Sequence, residues 1–270
     1  MERIDRIILA AIKEDMPKGD ITTDNIFSRK DQIEGKFIAK EKGVISGIEI
    51  AERVFSFFPN VSIVWNKKDG DIVNPTDIIG KISGSARSIL KGERLALNIM
   101  QRMSGIATKT NNLVNLVSHT HCQILDTRKT TPNFRILEKM AVEHGGGRNH
   151  RFSLSDMVMI KDNHIKAAGG ISEAVAKVKK KVKNSRIEVE VENLAMLQEA
   201  LKEDIDIIML DNMSIDEMKK AVELTKDKLL EASGNINEET IKEIAETGVD
   251  FVSVGALTHS YKSLDISLKF

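Results

Sequence analysis

The second half of the chain repeats a short apolar run followed by a helical stretch, and this repeat constrains the fold more than any other feature. The β-type runs from Cys122 onward are CQILD, DMVMI, IEVEVE, DIIMLD, LLEAS and DFVSVG. Helices are predicted between the later runs at about 171–183, 194–203, 214–225 and 238–247. Because each crossover must return to the same sheet edge, repeated βα units predict parallel strands, and hence a complete or partial β/α barrel.

Local signals within this repeat support the prediction. Ser214 and Glu217 form a capping-box pattern at the start of one predicted helix. The chain carries no G-x-G-x-x-G pattern after the first run, which argues against a dinucleotide crevice.

The first third of the chain predicts a separate α+β unit. Residues 4–12 have apolar residues at helical spacing, and residues 33–84 hold short β-type runs interrupted by a helix at about 48–58. A long helix is predicted from about Ala86. We therefore predict an N-terminal domain at 1–104, a barrel domain at 105–262, and a tail at 263–270 that returns to the N-terminal sheet.

Charge and cysteine content limit the partners and the compartment. Lys plus Arg and Asp plus Glu each total 40, so the net charge gives no reason to expect nucleic acid or an anionic membrane as the partner. One cysteine, Cys122, excludes an intrachain disulfide and suits a reducing cytoplasm. The N-terminal segment lacks a signal-peptide pattern, and no apolar run approaches the roughly 20 residues of a membrane span.

Polar residues follow the predicted strands repeatedly. In a β/α barrel the active site lies at the carboxyl ends of the strands, so these residues are expected to converge. They are Asp126, Thr127, Arg128 and Lys129, then Lys161 to His164, then Asp211 and Asn212, then Ser233 to Asn235, and finally Gly255 and Ala256.

The stretch from Leu125 to His164 is unusually rich in cations for a chain of zero net charge, which suggests a pocket for a small polyanion. It contains Arg128, Lys129, Arg135, Lys139, Arg148, His150, Arg151 and Lys161. Its triple glycine leaves two interpretations open. One is a mobile surface loop, and the other is a hinge that brings His150 and Arg151 onto an anion.

Acidic residues alternate along the run IEVEVE. Glu188, Glu190 and Glu192 share one face of this strand, which would point into the barrel if helices cover the opposite face. Buried carboxylates need cationic partners, and Lys161 and the Arg128–Lys129 pair are the expected ones.

Nine segments of the chain, taken in order, closely resemble the quinolinate phosphoribosyltransferase family: EDMPKGDITT, GERLALNIMQRMSGIAT, DTRKTTP, GGGRNHR, SDMVMIKDNHI, IEVEVEN, IIMLDN, EASGN and VGALTHS. The resemblance implies a type II phosphoribosyltransferase, with an N-terminal α+β sandwich-like domain and an incomplete β/α barrel. It implies a pentosyltransferase of de novo NAD biosynthesis. Quinolinate and 5-phosphoribosyl-1-pyrophosphate would give nicotinate mononucleotide, carbon dioxide and pyrophosphate.

The resemblance also implies roles for individual residues. Arg128, His150 and Arg151 match residues that hold the quinolinate carboxylates, and Thr127 joins that site. Arg94 matches a substrate arginine supplied across a homodimer with shared active sites. A hexamer is an open alternative to the dimer.

The remaining matches concern the phosphoribosyl substrate. Lys129 and Lys161 match lysines near the reacting centre and the pyrophosphate. Glu190 and Asp211 match acids near the ribose hydroxyls and the magnesium that accompanies this substrate, without a tight metal site. These four residues are the expected catalytic groups. The expected 5′-phosphate cradle is Ser233, Gly234, Asn235, Gly255 and Ala256.

Other functions compete with this interpretation. A pyrophosphorylase-like paralogue linked to molybdenum transport, or a nicotinate-specific relative, would use the same fold. A non-catalytic sensor of pyridine nucleotides belongs to a different class. The full set Arg94, Arg128, His150 and Arg151 favours a dicarboxylate substrate. The presence of Lys129, Lys161, Glu190 and Asp211 favours an enzyme over a sensor.

Overall fold

Two compact units make up the chain in the computed structural model, which describes residues 2–270. The N-terminal unit comprises 2–111, Thr130–Gly146 and Leu257–Phe270. The barrel unit comprises Asn112–Lys129 and Gly147–Ala256. The predicted domain boundaries at 104/105 and 262/263 stay predictions.

The N-terminal unit combines helices with an antiparallel sheet. Its strands are β1 (Gln32–Ala39), β2 (Gly43–Val44), β3 (Val61–Trp65), β4 (Ile72–Val73), β5 (Ile78–Ser85) and β12 (Ile266–Lys269). Its helices are α1 (Glu2–Asp15), α2 (Thr23–Ile26), α3 (Ile48–Phe55), most of α4 (Ala86–Val117), α5 (Arg135–His144) and most of α11 (Ala256–His259).

The main sheet of this unit has the order β12-β1-β5-β3, with antiparallel neighbours. The last strand, β12, pairs with β1 so that Phe37 lies opposite Leu268. The Phe37 ring is fully buried and packs 6.4 Å from Phe55 of α3 and 5.1 Å from Trp65 of β3, measured between ring centroids. These aromatic side chains bury a large apolar area and join the sheet to α3.

Helix α4 spans 32 residues and supports the chain that leads into β12. The amide of Leu264 donates to the carbonyl of Gln101 at 3.0 Å. Gly105 of α4 lies where the chain leading into β12 comes closest to the helix, since a Cβ at Gly105 would overlap the Lys262 carbonyl. A glycine in a helix interior normally costs stability relative to alanine, and here it makes room for a second backbone.

The barrel unit alternates strands with helices, as the sequence predicts. Its strands are β6 (Gln123–Leu125), β7 (Val158–Ile160), β8 (Ile187–Val191), β9 (Ile207–Asp211), β10 (Leu229–Ser233) and β11 (Phe251–Ser253). Its complete helices are α6 (Asp162–Ala168), α7 (Ile171–Lys181), α8 (Leu194–Ala200), α9 (Ile215–Leu224) and α10 (Ile241–Ala245).

The strands of this unit form a parallel sheet in the order β6-β11-β10-β9-β8-β7. Arg148 adds one parallel bridge beside Leu125, at the free edge of β6. Within residues 2–270 no ladder joins β6 to β7, so the ring of strands is incomplete. The predicted incomplete β/α barrel is confirmed, and every residue of β8 is buried, as a parallel strand covered on both faces requires.

The predicted capping box of α9 is confirmed, since the Ser214 hydroxyl accepts from the Glu217 amide and the Glu217 carboxylate accepts from the Ser214 amide. Predicted helix ends run too far, by the most at three places. Helix α3 ends at Phe55 instead of 58, α8 ends at Ala200 instead of 203, and α10 covers Ile241–Ala245 instead of 238–247. Residues 201–203 turn into β9, and 237–240 form a turn in which Asn237 accepts from the Thr240 amide. Across residues 2–270, no helix has the length and apolarity that crossing a bilayer would require.

Replacing Gly105 with alanine should destabilise the N-terminal unit, because the added methyl group collides with the Lys262 backbone. We expect the free energy of unfolding to fall by about 2 kcal/mol, measured by chemical denaturation. The control is Asn98→Ala at an exposed position of the same helix. It should change stability by less than about 0.5 kcal/mol. Equal stability of the two variants would contradict the close approach.

Candidate active site

Polar side chains gather at the carboxyl edge of the parallel sheet because each strand ends at that edge. Asp126 to Lys129 follow β6, Lys161 follows β7, Asp211 ends β9, Ser233 ends β10, and Gly255 follows β11. All of these residues belong to the barrel unit.

The side chains of Lys161 and Glu190 form an ion pair across neighbouring strands. Glu190 lies on the inward face of β8 and its side chain is nearly buried, whereas the Lys161 side chain is 43% exposed. Lys161 also caps α6, and its amide donates to Nδ1 of His164 at 3.0 Å. The sequence prediction that Lys161 is a partner of this acidic strand is confirmed.

A second ionic group lies inside the sheet around His150. Its Nε2 is 3.1 Å from a carboxylate oxygen of Glu188 on β8 and 3.5 Å from one of Glu231 on β10. Both carboxylates have no solvent-exposed side-chain surface. Burial lowers the pKa of His150, but hydrogen bonding to the two carboxylates outweighs burial and raises this pKa to about 10.

The pKa of Glu188, one of the two acids beside His150, is raised as well. Burial raises the pKa of Glu188, the His150 hydrogen bond lowers it in part, and the nearby Glu231 raises it further. Two carboxylates that share a dry interior cannot both carry a full charge without a compensating proton or cation.

Arg151 is held along β7 by the protein itself. Its guanidinium donates to the Met157 carbonyl at 3.2 Å and to the Met159 sulfur at 3.3 Å. Burial and the neighbouring cation Arg128 lower the pKa of Arg151 from its usual range. Arginine still stays charged at neutral pH, so this pair concentrates positive charge where an anion would relieve the repulsion.

The ends of β9 and β10 are connected through asparagine side chains. The Asn235 amide donates to Oδ1 of Asn212 at 3.1 Å, and the Asn212 amide donates to the Asp211 carboxylate at 3.0 Å. Both asparagines have positive φ, and so does Gly234, which precedes Asn235 and has a φ of +98°. A Cβ on Gly234 would overlap the Asn212 side chain, so only glycine fits this turn.

The other predicted site residues fall into two groups. Arg128 and Lys129 are exposed after β6, and the Lys129 amide donates to the Thr127 hydroxyl at 3.1 Å. Gly255 and Ala256 follow β11 and lead into α11. Arg94 belongs instead to the N-terminal unit, where it lines a cleft of about 1000 Å³ together with other residues of α1 and α4.

One sequence prediction for the acidic strand is wrong. Glu192 does not face the barrel interior, because β8 ends at Val191 and Glu192 is exposed. The structure also pairs Glu188 with His150, a contact that the sequence did not predict. The loop from Gly147 bends His150 back over the sheet, and its amide donates to the Asp126 carboxylate at 2.9 Å. Strand alternation alone cannot reveal that return.

Sequence reasoning also missed Glu231 and the role of Asn212 as a bridge. The available signal for Glu231 was a lone acid inside the apolar run LLEAS. A charged residue inside a parallel strand that is buried on both faces needs a partner, and this requirement marks it as part of a polar cluster.

A parallel β/α sheet with paired lysine and acid, clustered arginines and a glycine turn at its carboxyl edge defines a class of enzyme that acts on small, multiply charged anions. Models of the two quinolinate phosphoribosyltransferase domains match this chain, the N-terminal domain at residues 20–104 and the C-terminal domain at residues 106–269. The chain belongs to the quinolinate phosphoribosyltransferase family, which confirms the resemblance read from the sequence.

Individual relatives are similar over nearly the whole chain. A probable nicotinate-nucleotide pyrophosphorylase (carboxylating) of Bacillus subtilis is 44% identical over 94% of this chain and 89% of its own length. A chloroplastic enzyme of that name from Arabidopsis thaliana is 44% identical, over 97% of this chain and 81% of its own length. The crystal structure of NadC from Streptococcus pyogenes superposes with a TM-score of 0.96, at 44% identity, and covers 99% of this chain and 96% of that one.

Replacing Gly234 with alanine should disturb the turn after β10 in two ways, through its positive φ and through overlap with Asn212. We expect a loss of about 2–3 kcal/mol in the free energy of unfolding. The matched control is Gly169→Ala, which has a similar φ of +102° with no atom within 4 Å of the added Cβ. It should lose only about 1 kcal/mol. Equal losses, measured by thermal or chemical unfolding, would show that the Asn212 contact contributes nothing.

Proposed function

We propose that this chain transfers the phosphoribosyl group of 5-phosphoribosyl-1-pyrophosphate to the ring nitrogen of quinolinate, with loss of one carboxylate as carbon dioxide. The products are nicotinate mononucleotide, carbon dioxide and pyrophosphate, a step of de novo NAD biosynthesis. Family membership and the near-complete coverage of its relatives support this activity.

The observation that carries the proposal is that Arg128 and Arg151 lie close enough to repel each other, in the same unit as the Lys161–Glu190 pair. Burial, and after it repulsion from Arg128, lower the pKa of Arg151, and a dicarboxylate bound between the two arginines would remove that repulsion. Guanidinium groups bind carboxylates through two parallel hydrogen bonds, so Arg128 and Arg151 are suited to the two carboxylates of quinolinate. Thr127, the neighbour of Arg128, can donate a further hydrogen bond.

The transfer step needs electrostatic stabilisation more than a covalent nucleophile. When the bond from ribose to pyrophosphate breaks, positive charge develops on the ribose and negative charge on the leaving group. Glu190 and Asp211 offset the first, and Lys129 and Lys161 offset the second. The turns at Ser233–Asn235 and at Gly255–Ala256 offer backbone amides to the 5′-phosphate.

Ribosylation drives the second half of the reaction. Attack by the quinolinate nitrogen leaves the ring cationic. The adjacent carbon–carbon bond then breaks, carbon dioxide leaves, and the electron pair that stays on the ring carbon is stabilised by the neighbouring cation. Addition of a proton to this carbon completes nicotinate mononucleotide. The protein's task is positioning, which a rigid sheet edge performs well.

Magnesium is proposed to accompany the pyrophosphate substrate near Glu190 and Asp211. These acids fit such an ion, since magnesium prefers carboxylate oxygens together with substrate phosphates. Glu190 lies opposite Met209 in the β8–β9 register, so Asp211, two residues further along β9, is on the same face. When bound, the ion would neutralise phosphate charge.

We further propose a homodimer whose partner supplies Arg94 to each barrel, with a hexamer as a higher assembly of the same dimer. Arg94 lies in a cleft that is also lined by Arg3, Arg6 and Arg102 and by two acids, Glu14 and Asp15. The excess of arginines over acids supports a role in binding an anion. A cytoplasmic location is proposed from the single buried Cys122, which needs no oxidising compartment.

Lys129→Ala should lower turnover of quinolinate and phosphoribosyl pyrophosphate by at least about 100-fold, because charge on the departing pyrophosphate loses a partner. Quinolinate binding, measured by calorimetry without the second substrate, should change little. Lys177→Ala, an exposed lysine of α7 in the same unit, serves as the control and should keep full activity. A wild-type protein that consumes nicotinate but not quinolinate would instead indicate a nicotinate-specific relative.

The shared active site can be tested by mixing two inactive variants, Arg94→Ala and Arg128→Ala. Random reassociation makes about half of the dimers mixed, and each mixed dimer contains one complete site, so about one quarter of wild-type activity should return. Subunits cross-linked before mixing are the control and should stay inactive. If activity does not return although mixed dimers are detected by native mass spectrometry, Arg94 acts within its own subunit.

A further inference from the structure

Arg102 of α4 forms a closed set of contacts within the N-terminal unit. Its Nε and Nη2 donate to one oxygen of the Glu138 carboxylate, the Nε at 3.1 Å, and its Nη2 also donates to the Thr131 hydroxyl. The other carboxylate oxygen of Glu138 accepts from the Thr131 backbone amide at 3.0 Å. One ion pair therefore holds Thr131 through both its side chain and its backbone.

Burial of Glu138 makes this arrangement rigid. The Glu138 side chain has no exposed surface, whereas the Arg102 side chain is 26% exposed. A buried carboxylate is strongly unfavourable without its cation, so the guanidinium cannot leave it at low cost. The rings of Phe134 and Tyr261 lie 5.5 and 5.0 Å from the guanidinium carbon, within the range of cation–π attraction. These contacts together hold the Arg102 guanidinium in one orientation.

The residue before Thr131 is held as well. The Nε of Arg135, the first residue of α5, donates to the Thr130 hydroxyl at 2.9 Å. Thr130 is bonded directly to Lys129, the lysine assigned to the departing pyrophosphate. Because two residues of extended chain span at most about 7 Å, fixing Thr131 limits where the Lys129 backbone can lie.

We propose that Arg102 and Glu138 position Lys129 by fixing Thr131, two residues further along the chain. The inference rests on the proposed function, because Lys129 acts in the proposed transfer step. Arg102 and Glu138 act through the backbone, and Lys129 meets the substrate. A misplacement of about 1 Å at a reacting group can cost about 100-fold in rate, so a residue that does not touch substrate can still control kcat.

Arg102→Lys tests the proposal with the charge retained. Lysine keeps a cation beside Glu138 but lacks the planar fork that joins the carboxylate to the Thr131 hydroxyl. We expect kcat to fall by about tenfold or more, with less than about a threefold change in the KM for quinolinate. Quinolinate binding, measured by calorimetry without the second substrate, should change equally little.

Direct substrate binding is the competing explanation, because Arg102 lines the same cleft as Arg94. Quinolinate or phosphoribosyl pyrophosphate would then bind Arg102→Lys protein about tenfold or more weakly, while kcat at saturating substrate stayed near the wild-type value. That result would overturn the positioning role.

Arg87→Lys is the matched control. Arg87 also belongs to α4, and its side chain is equally 26% exposed. Its guanidinium donates to the backbone carbonyls of Phe27 and Asp24, each at 2.6 Å. Both lysine variants should have a lower melting temperature than the wild type, because each loses a guanidinium fork, but only Arg102→Lys should lose kcat. Equal kcat values in the two folded variants would overturn the proposal.

Two substitutions of Thr131 test the same contact without changing charge. Thr131→Val removes the hydroxyl that accepts from Arg102 and should reproduce most of the loss in kcat. Thr131→Ser keeps the hydroxyl and should restore kcat to within about twofold of the wild type. The double variant Arg102→Lys/Thr131→Val should lose little more than the worse single variant, since both changes break one hydrogen bond. Losses that multiply would mean independent roles and would overturn the proposal.

The outcomes separate this inference from the proposed function. Wild-type protein that consumes no quinolinate overturns both. Active wild-type protein with an unchanged kcat in folded Thr131→Val overturns the inference alone, and this test stands even if Arg102→Lys fails to fold.

Discussion

Two carboxylates buried inside one parallel sheet impose the constraint that the rest of the site satisfies. Glu188 and Glu231 lie on strands separated by β9, and neither reaches solvent. Ionised carboxylates in a dry interior are strongly unfavourable unless a proton donor or cation meets them. His150 supplies that donor, and it can do so only because the chain after Gly147 returns beside β6 and over the sheet.

The return of the chain after Gly147 contributes both to the stability of the sheet and to the geometry of the candidate site. The segment is fixed by the Leu125–Arg148 bridge and by the Asp126 carboxylate, so the same contacts that satisfy the interior also set the start of the cationic edge. Arg151 lies one residue beyond the buried histidine, with its guanidinium against β7. The arrangement separates charge by depth, with acids inside the sheet and arginines at its edge, although the whole chain is neutral.

Neighbouring strand ends are also connected to one another. Asn212 bridges from Asp211 to Asn235, which links the acid at the end of β9 to the turn after β10. Left-handed backbone at both asparagines allows this short connection, since asparagine tolerates positive φ better than most residues. A substrate that contacts both strand ends would meet a preorganised surface, and preorganised groups lose little entropy on binding.

The sequence by itself determined the alternation of strands and helices, the capping of α9 and the pairing of Lys161 with the acidic strand. These features depend on periodicity and on neighbours close in sequence, which are readable without coordinates. The sequence also placed the candidate residues at strand ends, because every parallel strand must end at the same edge. Helix ends at Ala200 and Ala245 were less certain, since turns compete with the last helical hydrogen bonds.

Only the tertiary structure decided which charges meet. Glu188 and Glu192 share one strand face in the sequence pattern, yet one is buried against His150 and the other is exposed beyond the strand end. Glu231 lies 81 residues from His150 along the chain, and no local pattern encodes that contact. Ion pairs between distant segments depend on how loops fold back and on which groups are cut off from water, and both are properties of the packed chain.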